Sequence, residues 1–308
     1  MSLKMTGYFT NQFWKISRAE KLLNLQFSKP SRHYFNNIHE SYVPFSLCIR
    51  ILCLILFFVL YVNKYMYLTL ELVIYFLTSV VLHVLRWFAY LTLESTLLGR
   101  YTRKVRSALV FGFVLFLVSE IMLFAGFFWT FFDRIFHLAY MTFNMSQLNG
   151  FELIKWFKTP LIATIVLLTS GYILNYAYYL FKCRIVESAY FVDATWILAV
   201  LFLAIQMQEY QELTFTIADS VYSSLFFLLT GFHGIHVMVG TVFITYASKD
   251  LYKRTFTNTK HIGFGIALIY WHFVDIIWIF LFLFIYMLNS WDFIYLAKKL
   301  NFISYLIY

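Results

Sequence analysis

Long apolar runs separated by short charged segments set the pattern of this chain. Seven runs stand out, at about 45–63, 66–90, 107–132, 159–181, 189–208, 219–248 and 261–290. An α-helix rises about 1.5 Å per residue and the hydrocarbon core of a bilayer is about 30 Å thick, so each run is long enough to cross it. In lipid a helix satisfies its own backbone hydrogen bonds, which makes helices the expected form. The pattern therefore predicts an all-α integral membrane protein with seven transmembrane helices over 45–290. A basic tail, 1–44, precedes them, with a short helix near 10–27. An aromatic, weakly basic tail, 291–308, follows and is placed along the membrane interface. No repeat or linker splits the chain.

Charge along the loops orients the bundle. With the N-terminus inside, inner segments hold 16 Lys and Arg and outer segments hold 6, while Arg50 and Arg86 fall within spans. Basic residues collect on the cytoplasmic or matrix side, so the N-terminus is expected inside and the C-terminus outside.

Composition agrees. Hydrophobic residues make up 62% and charged ones 13%, with a mean hydropathy of +0.73; a soluble domain carries about 25% charged residues. The net charge of +9 fits basic loops beside anionic lipid rather than nucleic acid, since no basic–aromatic patch occurs. Only 3 Pro and 11 Gly stand against 37 Phe and 24 Tyr. That bias points to an AT-rich gene, as in organelle genomes. Cys48, Cys53 and Cys183 form no metal-ligand spacing and read as small hydrophobes. The N-terminal segment lacks the apolar core and A-x-A-like site of a secretory signal.

Against this background the ionisable residues inside spans carry the chemistry. Glu120 is the one ionisable side chain in the 26 residues 107–132 and falls near the bilayer midplane. A carboxylate there costs a few kcal/mol unless protonated, paired or hydrated. It is either a functional group or a protonated acid making an interhelical hydrogen bond. His233 and His236 share one face of the sixth span at i, i+3, with Gly231, Gly234 and Gly240 around them to admit a close neighbour. One helix face cannot supply both axial ligands of a haem, and copper or zinc would need further ligands. Hydrogen bonding in the bundle or to a lipid headgroup is the preferred reading. In the seventh span His272 and Asp275 are again i, i+3, so the imidazole can soften the burial of the carboxylate. Trp271 and Trp278 lie seven apart on one face and read as packing. Glu209, Glu212 and Asp219 form an acidic junction between the fifth and sixth spans, expected at the solvated outer edge. Asp219 suits the start of the sixth helix through the helix dipole. No HExxH, GxSxG, GxGxxG or P-loop occurs, and no metal site is expected.

Three strings then become informative together: SEIMLFAGFFW (119–129), FTIADSVYSSLFFLLTGFHGIHVMVGT (215–241) and HIGFG…YWHFVDIIWIFLF (261–282). They closely resemble cytochrome c oxidase subunit III. RW…LEST…G (86–99) and QEY (208–210) resemble that family's segments before its third and sixth helices. The resemblance implies seven helices in a two-plus-five arrangement around a lipid-filled cleft. It implies residence in the mitochondrial inner membrane, N-terminus in the matrix and C-terminus in the intermembrane space, or in a bacterial plasma membrane. It further implies a subunit without haem or copper of its own, packed on the catalytic subunit I, which holds those groups. Its role there is to support proton uptake and protect the oxidase during turnover, with bound phospholipids such as cardiolipin, phosphatidylglycerol or phosphatidylethanolamine. Glu120 matches the family's carbodiimide-reactive glutamate.

The sequence also departs from the family. Arg100-Tyr101-Thr102 stands where members often have His-His-Thr, Gly265 replaces an acidic residue, the loop 133–158 lacks prolines, and both tails are extended. Arg100, Tyr101, Trp129, His233, His236 and His272 are the candidates for contacts with lipid or neighbouring helices. The tails are candidate surfaces for other oxidase subunits or supercomplex partners. A free-standing proton or ion transporter is the alternative from another class, disfavoured by the lack of Pro-broken spans and inverted repeats. An independent redox enzyme would need metal ligands that the sequence does not supply. The choice between cytochrome c and quinol as electron donor rests on another subunit.

Overall fold

The computed structural model describes residues 42–64, 69–96, 101–141, 154–185, 187–254, 256 and 261–287, with the side chains of 69, 89, 92–96 and 135–141 outside that description. The expected helix near 10–27, Arg100 and the C-terminal tail 291–308 lie outside the described residues. Among the described residues, seven helices are long and apolar enough to cross a membrane. They are α1 (Val43–Val62), α2 (Thr69–Thr96), α3 (Arg103–Met141), α4 (Thr159–Lys182), α5 (Ser188–Glu212), α6 (Val221–Tyr252) and α7 (Ile262–Leu281). Each predicted span corresponds to one helix, but several run further than the apolar pattern. α3 takes in Arg103, Lys104 and Arg106 at one end and Asp133 and Arg134 at the other. Lys and Arg at the edge of an apolar run can stay helical because their long side chains reach back to the headgroups.

The chain divides into two compact units, one ending at Leu109 and the other starting at Val110. In the first, Arg50 Nη1 donates to Ser79 Oγ between α1 and α2, and Phe57 stacks on Phe76 at 5.2 Å. Apolar side chains such as Leu52, Ile55 and Phe58 stay exposed along α1.

The second unit holds the core. α4 and α7 run antiparallel, and two indoles of α7 set their register. Trp271 Nε1 donates to Ser170 Oγ at 3.0 Å, and Trp278 Nε1 to Thr164 Oγ1 at 3.0 Å. Those hydroxyls donate in turn to carbonyls of their own helix, Leu167 and Pro160. Each hydroxyl thus gives its proton to α4 and its lone pair to α7. Both indoles are fully buried, so the Trp pair packs as expected and also bonds.

Helix ends account for other details. α6 begins at Ser220, whose side chain and that of Ser223 cap one another's backbone N–H groups. Asp219 does not start this helix. It accepts from Thr216 N–H at 2.5 Å in the turn before it, which leaves the capping to Ser220. α4 and α6 each end one residue before their C-caps, Cys183 and Lys253, and the next residue is left-handed: Arg184 at φ 62° and Arg254 at φ 54°. Beyond α7 the chain widens into a π-helical turn, Phe282–Met287, that the apolar pattern did not signal.

Of the three glycines around the histidines, one meets a close neighbour from this chain among the described residues. A Cβ on Gly231 or Gly234 would meet nothing within 4 Å, whereas one on Gly240 would lie 2.8 Å from Trp271. A glycine outside that group, Gly171, is the tighter one: a Cβ there would overlap the Asp275 carboxylate.

Candidate functional site

Glu120 on α3 and His236 on α6 meet in the second unit, 2.7 Å apart from Oε2 to Nε2. The other ring nitrogen, Nδ1, is 2.6 Å from the Phe232 carbonyl one turn back. A carbonyl only accepts, so Nδ1 carries a hydrogen and donates. One proton then lies between Nε2 and Oε2, and the pair as a whole is neutral whichever atom holds it. This is how the chain accommodates a carboxyl group amid apolar helices: a partner 116 residues away in sequence. The imidazole is wedged against Phe124 of α3 at 5.1 Å and Phe273 of α7 at 6.1 Å between ring centroids. These rings shield the contact and fix its angle.

His233, one turn away, takes no part in the pair. Its Nε2 donates to the Val274 carbonyl of α7 at 3.2 Å, and its ring packs between Phe202 and Trp278. Among the described residues, no three His, Cys, Asp or Glu side chains gather as a metal site would need.

The second carboxyl–imidazole contact has the spacing read from the sequence. His272 Nδ1 lies 3.3 Å from Asp275 Oδ2, while His272 Nε2 meets Asn175 Oδ1 of α4 at 2.9 Å. Asp275 is buried and presses against Gly171, so the absence of a side chain on α4 makes room for a carboxyl group on α7.

The acidic junction differs from expectation. Glu209 is buried at 3% exposure, not solvated, because α5 continues through Glu212 and turns Glu209 inward. Tyr286 donates to its Oε2 at 3.3 Å. Glu212 stays exposed and accepts from Gln208. Trp129 is 78% exposed on α3 and so points out of the bundle; Tyr101 is half-buried just before α3.

Sequence reasoning missed Asp193 near the start of α5. Its two oxygens accept from Ser248 Oγ at 2.5 Å and Tyr252 O–H at 2.6 Å, tying α5 to α6. A carboxyl inside the fifth apolar run was the available signal, the same one that drew attention to Glu120.

Residues 33–290 match the family model described as Cytochrome c oxidase subunit III. Cytochrome c oxidase subunit 3 of Arabidopsis thaliana is 40% identical over 201 residues, covering 65% of this chain and 76% of that protein. The Rhizopus stolonifer protein of the same name is 37% identical over 244 residues, 79% of this chain and 85% of the relative. For Gallus gallus the identity is 38% over 215 residues, 70% and 82% of the two chains.

Proposed function

This chain belongs to the cytochrome c oxidase subunit III family, and we propose that within the oxidase it is a non-catalytic, lipid-holding subunit that supports the catalytic subunit I. It is a multi-pass membrane component of respiratory complex IV, an oxidoreductase assembly. The observation that carries the supporting role is the Glu120–His236 contact. Each group is committed to the other, and Nδ1 of the imidazole to Phe232. A hydrogen-bonded pair of this kind anchors α3 to α6; it is poorly suited to ligating a metal, because both ring nitrogens are already engaged.

The outward surfaces support the rest of the reading. Within the second unit the spans carry exposed apolar side chains, among them Met122 on α3, Ile165 on α4 and Ile197 on α5. Apolar faces of this kind fit contact with phospholipid acyl chains and with subunit I. Haem and copper belong to the partner subunits, and other complex IV subunits, with supercomplex partners at the tails, complete the surroundings. The family points to the mitochondrial inner membrane, and the loop charges favour an N-terminus in the matrix.

Purification from native membrane in mild detergent tests this reading. The chain is expected to migrate with haem a, copper and subunit I, and extracted phospholipid is expected in stoichiometric amount. Isolation as a haem-free particle on its own would refute it.

A further inference from the structure

At the end of the second unit where α5 finishes and α6 begins, two buried side chains one helical turn apart carry unused hydrogen-bonding capacity. Gln206 is 5% exposed and Glu209 is 3% exposed. Neither the amide nitrogen nor the amide oxygen of Gln206 has a partner in the chain, and Glu209 Oε1 has none either. Gln206 lies close enough to the Glu209 carboxyl, Tyr210 and Tyr286 to act on each, yet its amide meets none of them at hydrogen-bonding distance and angle. Tyr286 reaches Glu209 Oε2 at 3.3 Å, long for an O–H donor. The surrounding groups are settled. Thr230 donates to the Phe226 carbonyl and therefore accepts from Tyr210, at 2.6 Å. Tyr222 of α6 donates to the Ile285 carbonyl within the π-helical turn.

We propose that Gln206 and Glu209, closed over by Tyr286, form a binding site for an internal water molecule. The chemistry of the unused atoms selects the guest. Gln206 Nε2 is a donor, and Gln206 Oε1 and Glu209 Oε1 are acceptors. A metal cation would engage the oxygens and repel the amide N–H groups. An anion would do the reverse. Water accepts from Nε2 and donates to the oxygens at once. Exchanging the amide O and N leaves this mixture unchanged, so the selection does not depend on how the amide is oriented. Each of these atoms is sealed from bulk solvent. Bridged in this way, the cluster joins the last turn of α5 to the π-helical turn that follows α7, and through Tyr210 and Tyr222 to α6.

The test is a structure of the intact oxidase at a resolution that orders water. The expected result is a density peak within about 3.2 Å of both the Gln206 amide and Glu209 Oε1. A direct Gln206–Glu209 hydrogen bond with no peak overturns the proposal. A peak with an oxygen-only shell at roughly 2.3–2.6 Å, as a bound cation gives, overturns it as well. A second measurement uses thermal release of this chain from the purified complex. Gln206→Leu and Glu209→Leu each leave the other residue half-satisfied and lower the release temperature. The double substitution removes the polar site altogether and is expected to lower it by less than the two singles combined. Strict additivity counts against a shared guest.

Discussion

Replacing Glu120 by Gln and by Leu separates its hydrogen bond from its charge. In the structure His236 Nδ1 donates to Phe232, which leaves a neutral Nε2 free to accept. The Gln amide donates to that nitrogen, so Glu120→Gln keeps the α3–α6 contact at a cost of about 0.5–1 kcal/mol. Leu has nearly the same volume and no polar atom. Glu120→Leu leaves Nε2 buried without a partner, which costs about 1–3 kcal/mol. A shift of 1 kcal/mol moves the midpoint of a chain of 150–250 residues by about 2–4 °C, so Glu120→Leu is expected to lower the release temperature by roughly 2–12 °C. The assay is heating of the purified oxidase followed by native electrophoresis, scoring retention of this chain beside the haem signal. Glu120→Gln is expected to assemble and sustain basal oxygen reduction. His236→Leu completes a double-mutant cycle, in which the Glu120→Leu/His236→Leu pair should recover about 1–2 kcal/mol relative to additivity. Equal retention of the Gln and Leu variants would refute the reasoning, and so would an additive cycle.

Other substitutions test the packing. Gly171→Ala drives a methyl into the Asp275 carboxylate, and Gly240→Ala presses on Trp271, whose indole N–H is held by Ser170; each is expected to cost about 1–3 kcal/mol in the thermal-release assay. Gly231→Ala and Gly234→Ala meet open space and should be neutral or stabilising by up to about 1 kcal/mol through helix propensity. Arg184→Gly and Arg254→Gly relieve left-handed backbone and are expected to raise the midpoint by an equivalent of about 0.5–1 kcal/mol. Trp278→Phe removes the bond to Thr164 and should cost about 1–3 kcal/mol while leaving the haem spectrum unchanged.

The seven spans were legible because crossing a bilayer demands a length of apolar sequence that little else produces. Their ends were not, because what stops a helix at the membrane edge is capping and interface chemistry rather than hydropathy. Ser220 rather than Asp219 begins α6, and α5 carries Glu209 inside rather than leaving it in a loop. The His272–Asp275 contact was legible, since i, i+3 spacing is geometry within one helix. The Glu120–His236 contact was not: nothing local links residues so distant, although each was conspicuous by itself. The glycines beside His233 and His236 showed where close approach is allowed, not where this chain makes it. A small residue permits close approach, but whether a neighbour comes is decided by the facing helix, and it came at Gly171 and Gly240.

The distance in sequence between Glu120 and His236 has a consequence for synthesis. The carboxyl group emerges 116 residues before its imidazole. At about 5–20 residues per second, roughly 6–23 s pass in which α3 exists and α6 does not. During that interval the newborn helix enters the bilayer with a lone acid near its middle. Until α6 arrives, that acid lacks the partner that lowers the cost of holding it in lipid. The pairing that steadies the finished subunit is thus absent while its third segment enters the lipid.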